Sequence, residues 1–109
     1  MSTPFEHALL LMNATGSDSV LRMCLKQNQY ENLTDLRLLD QNGIDSLRVT
    51  TAAGETKQLH LVHRKKLTTL MLWFDLAGTN YESELLKVTV FDTLINHLRA
   101  ADKQAAAAA

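Results

Sequence analysis

Several residue types that mark common classes of small protein are scarce in this sequence. Its 109 residues include one cysteine, one proline and four glycines. The single Cys24 excludes an internal disulfide and a cysteine-rich zinc site, and the isolated glycines form no phosphate-binding loop. The chain has 11 basic and 12 acidic side chains and a formal charge of -1. This balance predicts no general attraction to nucleic acid or to anionic lipid.

Long apolar runs are also missing. A bilayer-spanning helix needs roughly 18 to 20 apolar residues, and the longest candidate, 67–76, is interrupted by Thr68, Thr69 and Asp75. The N-terminus lacks the basic and apolar regions of a secretory signal. We therefore expect a soluble, intracellular protein with no membrane partner and leave its compartment open. The length predicts one helical domain over 1–99 and a low-complexity alanine-rich tail over 100–109.

Helix-start signals recur along the chain, each followed by apolar residues at helical spacing. The predicted N-caps of the first four helices are Thr3, Ser17, Asn32 and Asp40. Residues 48–59 contain β-branched side chains around a glycine turn and predict a small hairpin or loop that leans on the helices. The sequence thus predicts a mainly α fold, a compact bundle of about five to six helices. Several of these are short, and one is a long closing helix.

Two longer helices are predicted in the second half of the chain, one over about 60–77 and one that begins near Phe91. In the first of them the inward stripe is predicted to contain Leu67, Leu70, Met71 and Phe74, widened by Trp73 and Leu76. If the last helix does not fold back, its apolar face needs a partner. A possible apolar interface therefore comprises Trp73, Phe91, Leu94 and Leu98, although a place in the core or at its edge is the favoured alternative for Trp73.

A basic cluster opens the longest predicted helix. Its members, named here the basic edge, are His63, Arg64, Lys65 and Lys66. Cations at a helix N-terminus oppose the helix dipole, so an anionic partner at this position would relieve the repulsion. The favoured alternative is that these side chains are solvated or paired within the chain with Asp40, Asp45 or Glu55.

No set of residues for catalysis or metal binding is recognisable. His60 and His63 lie three apart, but no nearby cysteine or carboxylate completes a ligand set. Cys24 falls in an apolar stripe, where burial raises the pKa of a thiol and lowers its reactivity. Glu82 and Glu84 are predicted to lie in exposed turns. We therefore expect a non-enzymatic protein with no metal, no cofactor and no small-molecule substrate.

Short leucine-rich helices followed by one long helix give the sequence a family resemblance. The residues that carry it are Leu33-Thr34-Asp35-Leu36, Leu39, Ile44-Asp45 and Leu47, followed by the basic start at 63–66. Over 33–74 this pattern resembles a sterile-alpha-motif (SAM) or helix-hairpin-helix type domain. The whole chain is similar to the N-terminal gag-like region of copia-type retroelements of diatoms and other algae. The resemblance implies an interaction module, often self-associating, and not an enzyme.

Two functions follow as hypotheses. The first is a non-catalytic protein–protein interaction and self-association module. In it the basic edge of one copy meets an acidic edge of the next, head to tail; this acidic edge comprises Asp35, Asp40 and Asp45. The alternative is binding of the nucleic-acid phosphate backbone by the same basic helix N-terminus. The near-neutral charge makes this alternative the weaker one.

Overall fold

The computed structural model describes residues 3–16 and 19–108, with side chains in these ranges as far as residue 103. In this part of the chain, seven α-helices and one antiparallel hairpin share a single core. The helices are α1 (Pro4–Leu11), α2 (Val20–Gln27), α3 (Leu33–Arg37), α4 (Gln41–Ser46), α5 (Leu61–Ala77), α6 (Tyr81–Leu86) and α7 (Phe91–Ala108), and the strands are β1 (Arg48–Thr50) and β2 (Thr56–Gln58). The predicted mainly helical fold with a small hairpin is confirmed.

Side-chain caps begin most of the short helices. The side-chain oxygens of Thr3, Asn32 and Asp40 each accept a hydrogen bond from the backbone N–H three residues later, at 3.1, 2.9 and 2.7 Å. These three predicted caps are confirmed. The predicted cap of α2, Ser17, is corrected. The side chain that caps α2 is Ser19, whose Oγ accepts a hydrogen bond from the Arg22 N–H at 3.3 Å, and Ser17 lies outside the described residues.

The hairpin packs against α2, and the prediction that it leans on the helices is confirmed. Arg48 pairs with Gln58 and Thr50 with Thr56, so that Val49 is buried beneath the strands. The side chain of Gln27 forms two hydrogen bonds with the backbone of Thr50, both of 2.8 Å. A two-stranded hairpin is marginally stable by itself, and these bonds fix its position on the helix.

The last helix folds back along α5. Leu94 is fully buried in the core and Trp73 is only 4% exposed, while Phe91 and Leu98 are half-buried. This arrangement corrects the possible apolar interface predicted from the sequence. Because α7 covers α5, Trp73 and Leu94 form part of the core and are not available to a partner.

Residues 81–86 form a helix where the sequence predicts an exposed turn. Tyr81 and Leu85 lie one helical turn apart and are both buried, and the Tyr81 ring stacks edge-on against Phe74 with centroids 5.6 Å apart. Glu82 is exposed and Glu84 half-buried. The segment is helical because its two large side chains reach the core from the same face. No helix within the described ranges is long and apolar enough to cross a bilayer.

Candidate interaction surface

The basic edge lies on the first turns of α5, and two of its four side chains donate hydrogen bonds within the chain. Arg64 donates from Nε to the Leu59 carbonyl at 2.9 Å, and Lys66 donates from Nζ to the Met12 carbonyl at 3.1 Å. Lys65 alone among the four is exposed. The four residues therefore do not form one continuous cationic surface.

His63 contributes little positive charge to this edge. Its Nδ1 atom is buried and has no hydrogen-bond partner among the described residues. Burial lowers the pKa of the His63 imidazole, and the nearby Lys66 and His60 lower it further. The ring is therefore neutral at physiological pH. His60 has a separate structural role, because its Nδ1 accepts a hydrogen bond from the Val62 N–H at 3.2 Å.

The three carboxylates of the acidic edge all have partners within the chain. Asp40 caps α4, and Asp35 accepts from the Glu31 N–H at 3.2 Å. Asp45 lies 3.5 Å from Arg64 Nη1 and forms an ion pair with it. The structure thus brings one member of each predicted edge together inside a single molecule. A partly exposed pair of this kind contributes about 0 to 1 kcal/mol to stability.

Cys24 and the histidines show no arrangement that favours chemistry. Cys24 is completely buried, and burial raises the pKa of its thiol, with a smaller opposing effect from a hydrogen bond to Asn28. The rings of His60 and His63 lie edge to face with centroids 6.3 Å apart. Within the described part of the chain, no three residues of the His, Cys, Asp and Glu types are placed to hold a metal ion.

The surface that sequence reasoning missed is the outward side of α5. Leu61, Leu72 and Leu76 are 50%, 44% and 50% exposed, and their spacing places them on one side of α5. Leu76 was predicted to point inward, and its exposure corrects that prediction. This surface, named here the outer face of α5, comprises Leu61, Lys65, Thr68, Thr69, Leu72 and Leu76.

The two threonines of the outer face have their hydroxyl groups satisfied within the chain. Thr69 Oγ1 donates to the Lys65 carbonyl at 3.0 Å. Thr68 Oγ1 lies 3.0 Å from both the Arg64 carbonyl oxygen and Gln41 Oε1. A polar group that already has its hydrogen bond loses little when it is covered. These two threonines can therefore be removed from water at a low polar cost.

Two grooves lie beside helices. One of about 370 Å³ runs between α4 and the first half of α5, with Gln41 and Asp45 on one wall and Leu61, Lys65 and Thr68 on the other. A second groove, of about 380 Å³, lies between α1 and α2. Its lining combines two aromatic side chains with charges of both signs, contributed by Phe5, Tyr30, Glu6, Arg22, Lys26 and Glu31.

Comparisons with protein-family models, with curated proteins and with solved structures give no match for this chain. The SAM-like and gag-like resemblance therefore stays a prediction.

Proposed function

We propose that this domain is a non-catalytic protein-interaction module that self-associates through the outer face of α5. The observation that carries the proposal is the set of three half-exposed leucines, Leu61, Leu72 and Leu76, on one side of α5. Four of the nine exposed large apolar side chains among the described residues belong to α5, the fourth being Val62. Exposed apolar side chains that share one face favour a partner surface more than isolated ones do.

The size of this face favours a weak association. Complete burial of a leucine is worth about 1.5 to 3 kcal/mol, and each of the three is already half covered. Six such leucines in a pair of molecules contribute about 6 kcal/mol, while association costs roughly 4 to 15 kcal/mol in lost freedom. Other contacts must add to the leucines, and assembly is therefore expected to depend on protein concentration.

Binding of nucleic-acid phosphates has less support. Such binding draws its affinity from several cations that release counterions together. Arg64 and Lys66 already donate to protein oxygens, and the pKa of His63 is lowered. Lys65 remains as the exposed cation of the basic edge. A single exposed cation gives only a weak contact, with a shallow dependence on salt.

The test is the solution mass measured by light scattering over a wide concentration range. We expect the mass of the wild type to rise above the 12.2 kDa of one chain as concentration increases. Leu72→Glu places a charge in the middle of the outer face and should hold the mass at that of the monomer. Leu38→Glu is the matched control, because Leu38 is 78% exposed and lies at the end of α3, outside the outer face.

Circular dichroism of both variants checks that the fold is kept. A wild type that remains monomeric at every concentration would contradict the proposal, as would equal losses of assembly in the two variants. Salt-sensitive binding of RNA or DNA by a monomeric wild type would favour the nucleic-acid alternative.

A further inference from the structure

Helix α5 carries opposite charges toward its two ends, one on its outer face and one at the edge of that face. Lys65 lies in the first half of the helix and Asp75 in its last turn, and both side chains are exposed. Among the described residues neither side chain forms an ion pair. Ten residues separate them, a rise of about 15 Å along the helix. This distance is too great for an ion pair within one molecule.

This distribution of charge makes the face complementary to itself in one orientation. In a parallel pair of α5 helices, each Lys65 would meet the Lys65 of the other copy and each Asp75 would meet an Asp75. In an antiparallel pair centred on Leu70, each Lys65 lies at the level of the Asp75 of the other copy. The helix dipoles are also opposed in that arrangement. Only the antiparallel pair brings unlike charges together.

The same register matches the shape of the face. With Leu70 at the centre, Leu76 of each copy lies at the level of Arg64 of the other. At that level the groove between α4 and α5 is lined by Leu61, Lys65 and Thr68. Leu72 of each copy lies at the level of Thr68 of the other copy, and the Thr68 hydroxyl already has a hydrogen bond within its own chain. An apolar side chain of each copy thus meets a recess or an internally satisfied polar group of the other.

We infer that the partner of the outer face is a second copy of this chain, bound with its α5 antiparallel and with Lys65 of each copy facing Asp75 of the other. This inference rests on the proposed self-association. The two contacts are related by a twofold axis, so the assembly closes at a dimer. It differs from the head-to-tail contact between the basic and acidic edges, which can propagate into a filament.

Charge reversal tests the orientation. We expect K65E and D75K each to weaken dimerisation by about tenfold, because each places two pairs of like charges in the interface. The double variant K65E/D75K restores both pairs with their signs exchanged and should return the dissociation constant to within about threefold of the wild type. Dissociation constants are measured by analytical ultracentrifugation. The matched control is K57E, which reverses an exposed lysine on β2, outside the outer face.

Unfolding cannot explain the expected losses. A glutamate near the start of α5 and a lysine near its end are both favourable to the helix dipole, so each single variant should fold at least as well as the wild type. Weakening by the single variants without recovery in the double variant would overturn the antiparallel register, and so would a mass that grows beyond a dimer.

The results of these measurements distinguish the antiparallel orientation from the proposed self-association through the outer face. If the wild type associates and L72E is monomeric, but K65E and D75K bind like the wild type, the interaction surface stands and the orientation is wrong. If the wild type never associates, both are wrong.

Discussion

His63 lies near the start of α5 with one ring nitrogen in the protein interior. Its Nδ1 has no partner among the described residues, and burial, Lys66 and His60 together lower the pKa of the imidazole. A proton added to this ring would place a charge beside a lysine and in a poorly solvated position. The folded protein therefore binds that proton less readily than the unfolded chain does.

This difference predicts a pH-dependent stability. The unfolded histidine has a pKa of about 6.5, and the folded value is lower. The contribution of His63 is therefore fully present above pH about 6.5 and is lost as the pH falls toward the folded pKa. His63→Gln removes the titration, so the free energy of unfolding should decline less steeply below pH about 6.5 than in the wild type.

Urea unfolding at a series of pH values measures the effect. The other three histidines are the same in both proteins, so the difference between the two curves isolates His63. Parallel curves over the whole range would show that the environment of His63 does not affect its protonation.

Among the single elements, the start of α4 is stabilised by a capping aspartate that packs closely against a glycine. The Asp40 carboxylate accepts a hydrogen bond from the Gly43 N–H. A Cβ atom added at Gly43 would lie 3.1 Å from that carboxylate and 3.3 Å from a Leu39 methyl group. By helix propensity alone, a glycine at this position weakens the helix. In the structure, its lack of a side chain lets the cap and Leu39 approach the helix closely.

Removing the cap should lower stability measurably. Asp40→Ala leaves the first N–H groups of a six-residue helix without their side-chain acceptor, and we expect a loss of about 1 kcal/mol in the free energy of unfolding. Asp40→Asn keeps a capping oxygen and serves as the control, with an expected change of a few tenths of a kcal/mol. Equal losses in the two variants would indicate that charge, and not capping, is the contribution of Asp40.

At the scale of the whole molecule, α7 completes the core against α5. Trp73 donates from Nε1 to Nδ1 of His97 at 3.3 Å, and Leu94 is buried in the same core cluster as Phe74. This packing covers one side of α5 and leaves its outer face open. The position of α7 therefore decides which side of α5 is available to a partner.

A cavity substitution tests how much of the stability comes from this packing. Leu94→Ala should cost about 2 to 5 kcal/mol, because it removes a completely buried leucine and leaves a cavity. The control Leu38→Ala alters a 78% exposed side chain and should change stability by less than about 0.5 kcal/mol. Denaturant unfolding monitored by Trp73 fluorescence measures both. A small loss in Leu94→Ala would mean that α7 contributes little to the fold.

Short-range interactions made much of the fold predictable from the sequence. Thr3, Asn32 and Asp40 could be recognised as caps because each bond joins groups three residues apart. The inward leucines of the short helices followed from the helical period, which holds wherever one side of a helix faces the core. Residues 81–86 escaped prediction because their helix depends on Tyr81 reaching Phe74, a contact between two elements.

Where most helices begin, which class of fold they form, and that a hairpin interrupts them can be read from the amino-acid sequence, because these properties depend on neighbours along the chain. Which side of α5 is covered and which is open depends on the packing of distant elements. Leucines lie on more than one side of that helix, so its own pattern cannot distinguish the two. The distant α7 buries the side with Trp73 and leaves Leu72 and Leu76 exposed, while the distant Asp45 engages Arg64.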